Sequence, residues 1–183
     1  MQSVKIDRYL RLGIGVLAVV LVSTIYAAVH RRVELGPDGQ VYGYVVKAGD
    51  TAPDFSVTAD NGQTVTLPNF GGRLLVLNFW ASWCQPCAEE TPSLSQLARN
   101  YASKGVVVLG ISVDKDPGAY QRFLQKYSPA FLTARELKIH EDYGTFMYPE
   151  TYIIDAKGHV VQKIAEPIDW SNPKVTNYID SLL

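Results

Sequence analysis

Cysteine is scarce: the 183-residue chain has two, Cys84 and Cys87. Two are too few for a disulfide framework of the kind that staples small secreted scaffolds. An excess of one charge is also missing, with 17 Lys+Arg against 18 Asp+Glu and a formal charge of −1. Such a balance excludes a nucleic-acid binder held by phosphate contacts. The three histidines (His30, His140, His159) lack the spacing of a zinc motif, and no second C-x-x-C pair is present. Copper carriage would need a Met-rich stretch or a nearby His motif, and the chain has neither. Repeats and low-complexity tracts are absent, and 47% of residues are hydrophobic, which excludes a disordered chain.

Long apolar runs are limited to one. Leu12–Val29 holds 18 residues without a charged side chain. As a helix it would span about 27 Å, close to the ~30 Å hydrocarbon core of a bilayer. Arg11 and Arg31 can snorkel at its ends, and Tyr26 sits where aromatic rings favour the interface. Ala27 and Ala28 are adjacent rather than spaced as a signal-peptidase site requires, and no lipid-accepting cysteine follows. The reading is an uncleaved transmembrane anchor within residues 1–32. Lys5, Arg8 and Arg11 precede the segment and only Arg31 and Arg32 follow it, which favours a cytoplasmic N-terminus and an extracytoplasmic body. That body, residues 33–183, is mildly acidic, with 12 basic and 17 acidic side chains.

Residues 33–49 read as a linker, rich in glycine, with a short alternating run at Val41–Val46. One domain is expected over 50–183, long enough to bury a core without staples. Phe55–Thr58 and Thr64–Leu67 flank Asp60-Asn61-Gly62, a hairpin signal. Leu74–Trp80 and Val106–Ser112 are continuous apolar runs, as in strands covered on both faces. A helix is expected from Gln85 to Ser103, with a kink at Pro92. Asp116-Pro117 and Asn172-Pro173 read as N-caps with proline at the first helical position. A shorter helix is expected at Ala134–Tyr143, and a hairpin from Thr151–Asp155 to His159–Ile164. The order predicts an α/β domain with a central mixed sheet.

The chemistry lies at Trp83-Cys84-Gln85-Pro86-Cys87, directly after a buried strand and at a helix start. The unpaired N–H groups of the first turn face the first sulfur and favour thiolate, the attacking species. Pro86 fits the first turn because it needs no N–H there. Cys84 is then attacked, or attacks, to give a mixed disulfide, which Cys87 resolves to a Cys84–Cys87 disulfide. A purely structural disulfide is a weak alternative, since its small loop removes little chain entropy. A peroxidatic cysteine is the sharper rival, because Ala52-Pro53-Asp54-Phe55 also opens peroxiredoxins. Those carry Pro and Thr/Ser at fixed places before the nucleophile, where this chain has Leu77 and Ala81.

Leu77–Cys87 (LNFWASWCQPC), with Glu90 and Pro92 following, resembles a thioredoxin-fold protein. The anchor, the APDF opening, Gly62, WCQPC and Tyr148-Pro149-Glu150-Thr151 together resemble the membrane-anchored TlpA/ResA/CcmG group of thiol–disulfide oxidoreductases. The match covers about residues 49–164. It implies a thioredoxin-like fold with an N-terminal β-hairpin extension. Cys84 would be the exposed nucleophile and Cys87 the resolving thiol. Pro149 would be a cis-proline facing the pair, with Tyr148 offering its backbone to an extended substrate and Trp83 covering the sulfur and touching partners. Asn78 stands where thioredoxins proper carry a proton-accepting aspartate. Glu90, one helical turn after Cys87, is the nominated substitute. No cofactor or metal is implied beyond the redox-active disulfide. The partners implied are protein thiols or disulfides and a membrane electron donor. The resemblance favours a reductant, acting on haem-site or copper-site cysteines of exported proteins. A general dithiol oxidase and a membrane-tethered, redox-passive binding module are the alternatives.

Overall fold

The computed structural model describes residues 19–20, 34–35, 41–42 and 45–183. The expected anchor Leu12–Val29 lies outside the described residues, apart from the helical Val19 and Val20. Among the described residues, no helix is long and apolar enough to cross a membrane. Contacts divide the chain into Met1–Tyr44 and Val45–Leu183. In the first unit β1 (Glu34–Leu35) pairs antiparallel with β2 (Val41–Tyr42). In the second, Val46 is buried in the core.

The second unit begins with a hairpin, β3 (Ser56–Thr58) and β4 (Thr64–Thr66). Gly62 has φ 84° in its turn, where an L side chain is disfavoured. A five-stranded sheet follows, built from β5 (Leu74–Trp80), β6 (Val106–Ser112), β7 (Leu132–Arg135), β8 (Glu150–Asp155) and β9 (Val160–Ile164) in the order β7-β6-β5-β8-β9. β6 runs parallel to β5 and β7, while β8 is antiparallel to β5 and β9. The sheet is therefore mixed, as the element order predicts.

Every residue of β5 is buried because both faces of the sheet are covered. Leu75, Leu77 and Phe79 join Val57, Val65, Tyr143 and Tyr152 on one side. Leu74 and Val76 point the other way, to Leu94 and Leu97 of helix α1 (Gln85–Tyr101) and to Ile179. Period-two alternation thus feeds two cores from one apolar strand. Trp80, at the end of β5, packs with Tyr120 and Phe123 of α2 (Pro117–Tyr127). Asp116 caps α2 by accepting from the Gly118 N–H at 2.8 Å. Asn172 does the same for α4 (Pro173–Ser181) through the Lys174 N–H.

One element differs from the sequence expectation. The helix expected at Ala134–Tyr143 is only a single turn, α3 (Ile139–Asp142). Ala134 belongs instead to β7, an edge strand paired with β6 from Leu132 to Arg135. Four residues are too few to show a strand period, and pairing with β6 overrides local helix preference. Helix α1 carries Pro92 in its interior. Beside it, the Thr91 hydroxyl donates to the Cys87 carbonyl at 2.8 Å.

Candidate active site

β5 delivers its C-terminal end to a short loop, and α1 starts from that loop. Cys84 is the N-cap residue of α1. Its extended backbone lets Sγ accept from the Cys87 N–H at 3.2 Å. The amide that the helix start leaves unpaired therefore points at the first sulfur. Cys84 and Cys87 form a disulfide with Cα atoms 5.3 Å apart. The structure thus shows the oxidised pair.

One expectation is corrected. Cys84 is not an exposed residue here: it is 5% exposed, against 4% for Cys87. Each sulfur is covered on one side by the other. The pair packs among Trp80, Ala81, Ala88, Tyr120 and Phe123, with Tyr148 against the same cluster. Its neighbours Trp83, Gln85 and Pro86 are exposed. Approach to Cys84 is therefore confined to a rim rather than open on all sides.

The Tyr148–Pro149 bond is cis. Tyr148 is half-buried, and its ring meets Trp83 edge-on at 5.8 Å. Burial, then Glu150 and Glu141, pushes its hydroxyl up to about 12, so it stays protonated. His140 Nδ1 lies 3.2 Å from that hydroxyl. Trp83 is 70% exposed. A groove of about 480 Å³ opens beside it, lined in part by Trp83, Tyr148, Val113 and His140.

A buried polar cluster joins β5, β8 and α1. Asn78 and Thr151 face each other across β5 and β8, and the Asn78 amide donates to Thr151 Oγ1 at 2.8 Å. The same amide stands 3.5 Å from Glu90 Oε1. Glu90 is 5% exposed. Burial raises its carboxyl to about 7, and the Trp170 indole, then the Ile168 backbone N–H, pull the other way. Glu90 Oε2 is buried without a hydrogen bond of normal geometry. A carboxyl poised near neutrality, on the helix that carries the pair, can take or give a proton at physiological pH. Glu89, by contrast, is exposed and bonds Gln85.

Two residues important to the site were not singled out from sequence. Asp114, just past β6, is 2% exposed. Its carboxylate accepts from the Ser82 N–H at 2.9 Å, the Ser82 hydroxyl at 2.7 Å and the Ser112 hydroxyl at 2.6 Å. It thereby fixes the loop two residues before Cys84. An acid at the end of a buried strand was the available signal. Trp170, 80 residues after Glu90, carried none. Among the described residues no cluster of His, Cys, Asp and Glu could hold a metal.

A redox-active C-x-x-C disulfide capping a helix beside a cis-proline, on this mixed sheet, defines a thiol–disulfide oxidoreductase of thioredoxin type. The profile of the redoxin family matches residues 47–181. The chain belongs to that family, as a thioredoxin-like member of its TlpA/ResA group. It is 34% identical to the thiol–disulfide oxidoreductase ResA of Bacillus thuringiensis subsp. konkukian, over 65% of this chain and 70% of that protein. It is 38% identical to the thioredoxin-like protein YneN of Bacillus subtilis, over 65% of this chain and 71% of that one. A thiol:disulfide interchange protein DsbE from Chlorobium tepidum superposes with TM-score 0.68 at 28% identity, covering 75% of this chain and 98% of that one.

Proposed function

We propose that this oxidoreductase works as a reductase of exported protein disulfides, held at the cytoplasmic membrane by Leu12–Val29 with its catalytic domain outside the cytoplasm. The observation that carries the direction is the setting of the disulfide. It packs in an apolar cluster, with the Glu90 carboxyl buried one turn along the same helix. Such surroundings disfavour charge on a reduced pair and make the dithiol the better electron donor. The single Cys87 N–H on Cys84 Sγ acts in the opposite sense and keeps thiolate accessible. A thiol whose pKa lies near ambient pH attacks best.

The cycle balances over two electrons. Cys84 thiolate attacks one sulfur of the substrate disulfide, and the other leaves as thiolate. Cys87 gives its proton to the Glu90 carboxylate and attacks Cys84 Sγ. The Cys84–substrate bond breaks, the Cys84–Cys87 bond forms, and the substrate leaves fully reduced. A membrane dithiol donor then restores the pair. Trp83 and the Tyr148–Pro149 segment bracket an extended substrate, whose main chain pairs with the Tyr148 backbone. The resemblance to the TlpA/ResA/CcmG group supports haem-site or copper-site cysteines as targets.

Equilibration of the full-length chain with glutathione buffers tests the direction. A potential near that of thioredoxin, about −270 mV, is expected. A value near −120 mV, where strong oxidants lie, would make it a dithiol oxidase instead.

A further inference from the structure

Trp170 precedes α4, in a loop outside the sheet, yet it is completely buried. Two hydrogen bonds tie it to α1. Its indole Nε1–H donates to Glu90 Oε1 at 2.6 Å, and its backbone N–H donates to Ser93 Oγ at 3.2 Å. The Ser93 hydroxyl itself donates to the Glu90 carbonyl at 3.0 Å. Simple packing of an aromatic ring would not require a short polar contact to a buried carboxyl.

We infer that Trp170 is a positioning residue for proton exchange at Cys87, fixing the Glu90 carboxyl through its indole hydrogen bond. This rests on the reading of Glu90 as the proton acceptor. The indole N–H is a donor only, so it stabilises carboxylate over carboxylic acid. It opposes burial, which favours the acid. The other groups around the carboxyl are Asn78 on β5, Thr151 beyond it on β8, and the Ile168 backbone in the same loop as Trp170. None of these groups titrates, and Cys87, one turn back on α1, is held in the disulfide of the oxidised protein. Glu150, next to Thr151, is committed to Lys163 at 2.7 Å and to the Tyr152 hydroxyl. Trp170 is thus the dominant donor to Glu90.

The test uses the full-length chain. In the oxidised protein, the Trp170 indole ¹H–¹⁵N resonance should titrate together with the ¹³C resonance of the Glu90 carboxyl, and Glu90→Gln should abolish the indole titration. Trp170→Phe keeps an aromatic ring but removes the donor. It should raise the Glu90 midpoint by about one pH unit, a tenfold change in proton affinity. The half-rise of the Cys87 resolving rate with pH should move alkaline by the same amount, and Trp170→Phe should cause no such move in the Glu90→Gln background. An indole resonance indifferent to pH across the Glu90 titration overturns the inference, and needs no variant of Trp170. An unmoved carboxyl midpoint in a folded Trp170→Phe protein overturns it too. A midpoint that moves while the resolving rate does not contradicts Glu90 as the proton acceptor, while leaving Trp170 as its anchor.

Discussion

Glu90 makes the protein's stability depend on pH in a specific direction. Its folded-state pKa is about 7, raised from 4.5 by burial. Between those values the folded state binds more protons than the unfolded chain, so stability falls as pH rises. Below 4.5 both states are protonated and the penalty vanishes. Above 7 it is complete, at most about 3 kcal/mol. Glu90→Gln should flatten the denaturation midpoint between pH 4.5 and 7 and raise stability at pH 8. Urea melts of the oxidised protein across that range check this, and a wild-type profile already flat would contradict it. The same substitution should slow resolution by Cys87 about 100-fold at neutral pH, measured by stopped-flow decay of the mixed disulfide. Cys84, Cys87 and the nomination of Glu90 were legible in the sequence because spacing on one helix face places them. Trp170 was not, because a contact across 80 residues leaves no local pattern.

The loop between β5 and α1 is held from the neighbouring strand. Asp114→Ala would strand the Ser82 N–H and release both serine hydroxyls. A buried, hydrogen-bonded carboxylate lost in this way costs about 3 kcal/mol. Its effect should appear both in chemical denaturation and as faster hydrogen exchange at Ser82. Asp116→Ala should cost clearly less than Asp114→Ala, since it removes an exposed N-cap bond and a surface contact with Arg122. A result in the opposite order would mean that Asp114 is incidental. At this scale the two long strands were legible to the residue, Leu74–Trp80 and Val106–Ser112, because strands covered on both faces leave unbroken apolar runs. β7 was not, because a four-residue edge strand takes its identity from the neighbour it pairs with.

The whole molecule joins a basic, apolar N-terminal segment to a redoxin domain. If the anchor and its orientation are as proposed, a membrane-impermeant thiol reagent added to intact cells should label Cys84 after mild reduction. Labelling only after lysis would place the domain inside the cytoplasm. The central claim is that Cys84 attacks and Cys87 resolves. The most direct measurement is covalent trapping by the full-length reduced protein with an oxidised cysteine peptide as the test disulfide. Cys87→Ser should accumulate a Cys84-linked mixed disulfide to near stoichiometry, and Cys84→Ser should trap little. Equal trapping by both variants, or none by Cys87→Ser, would contradict the account.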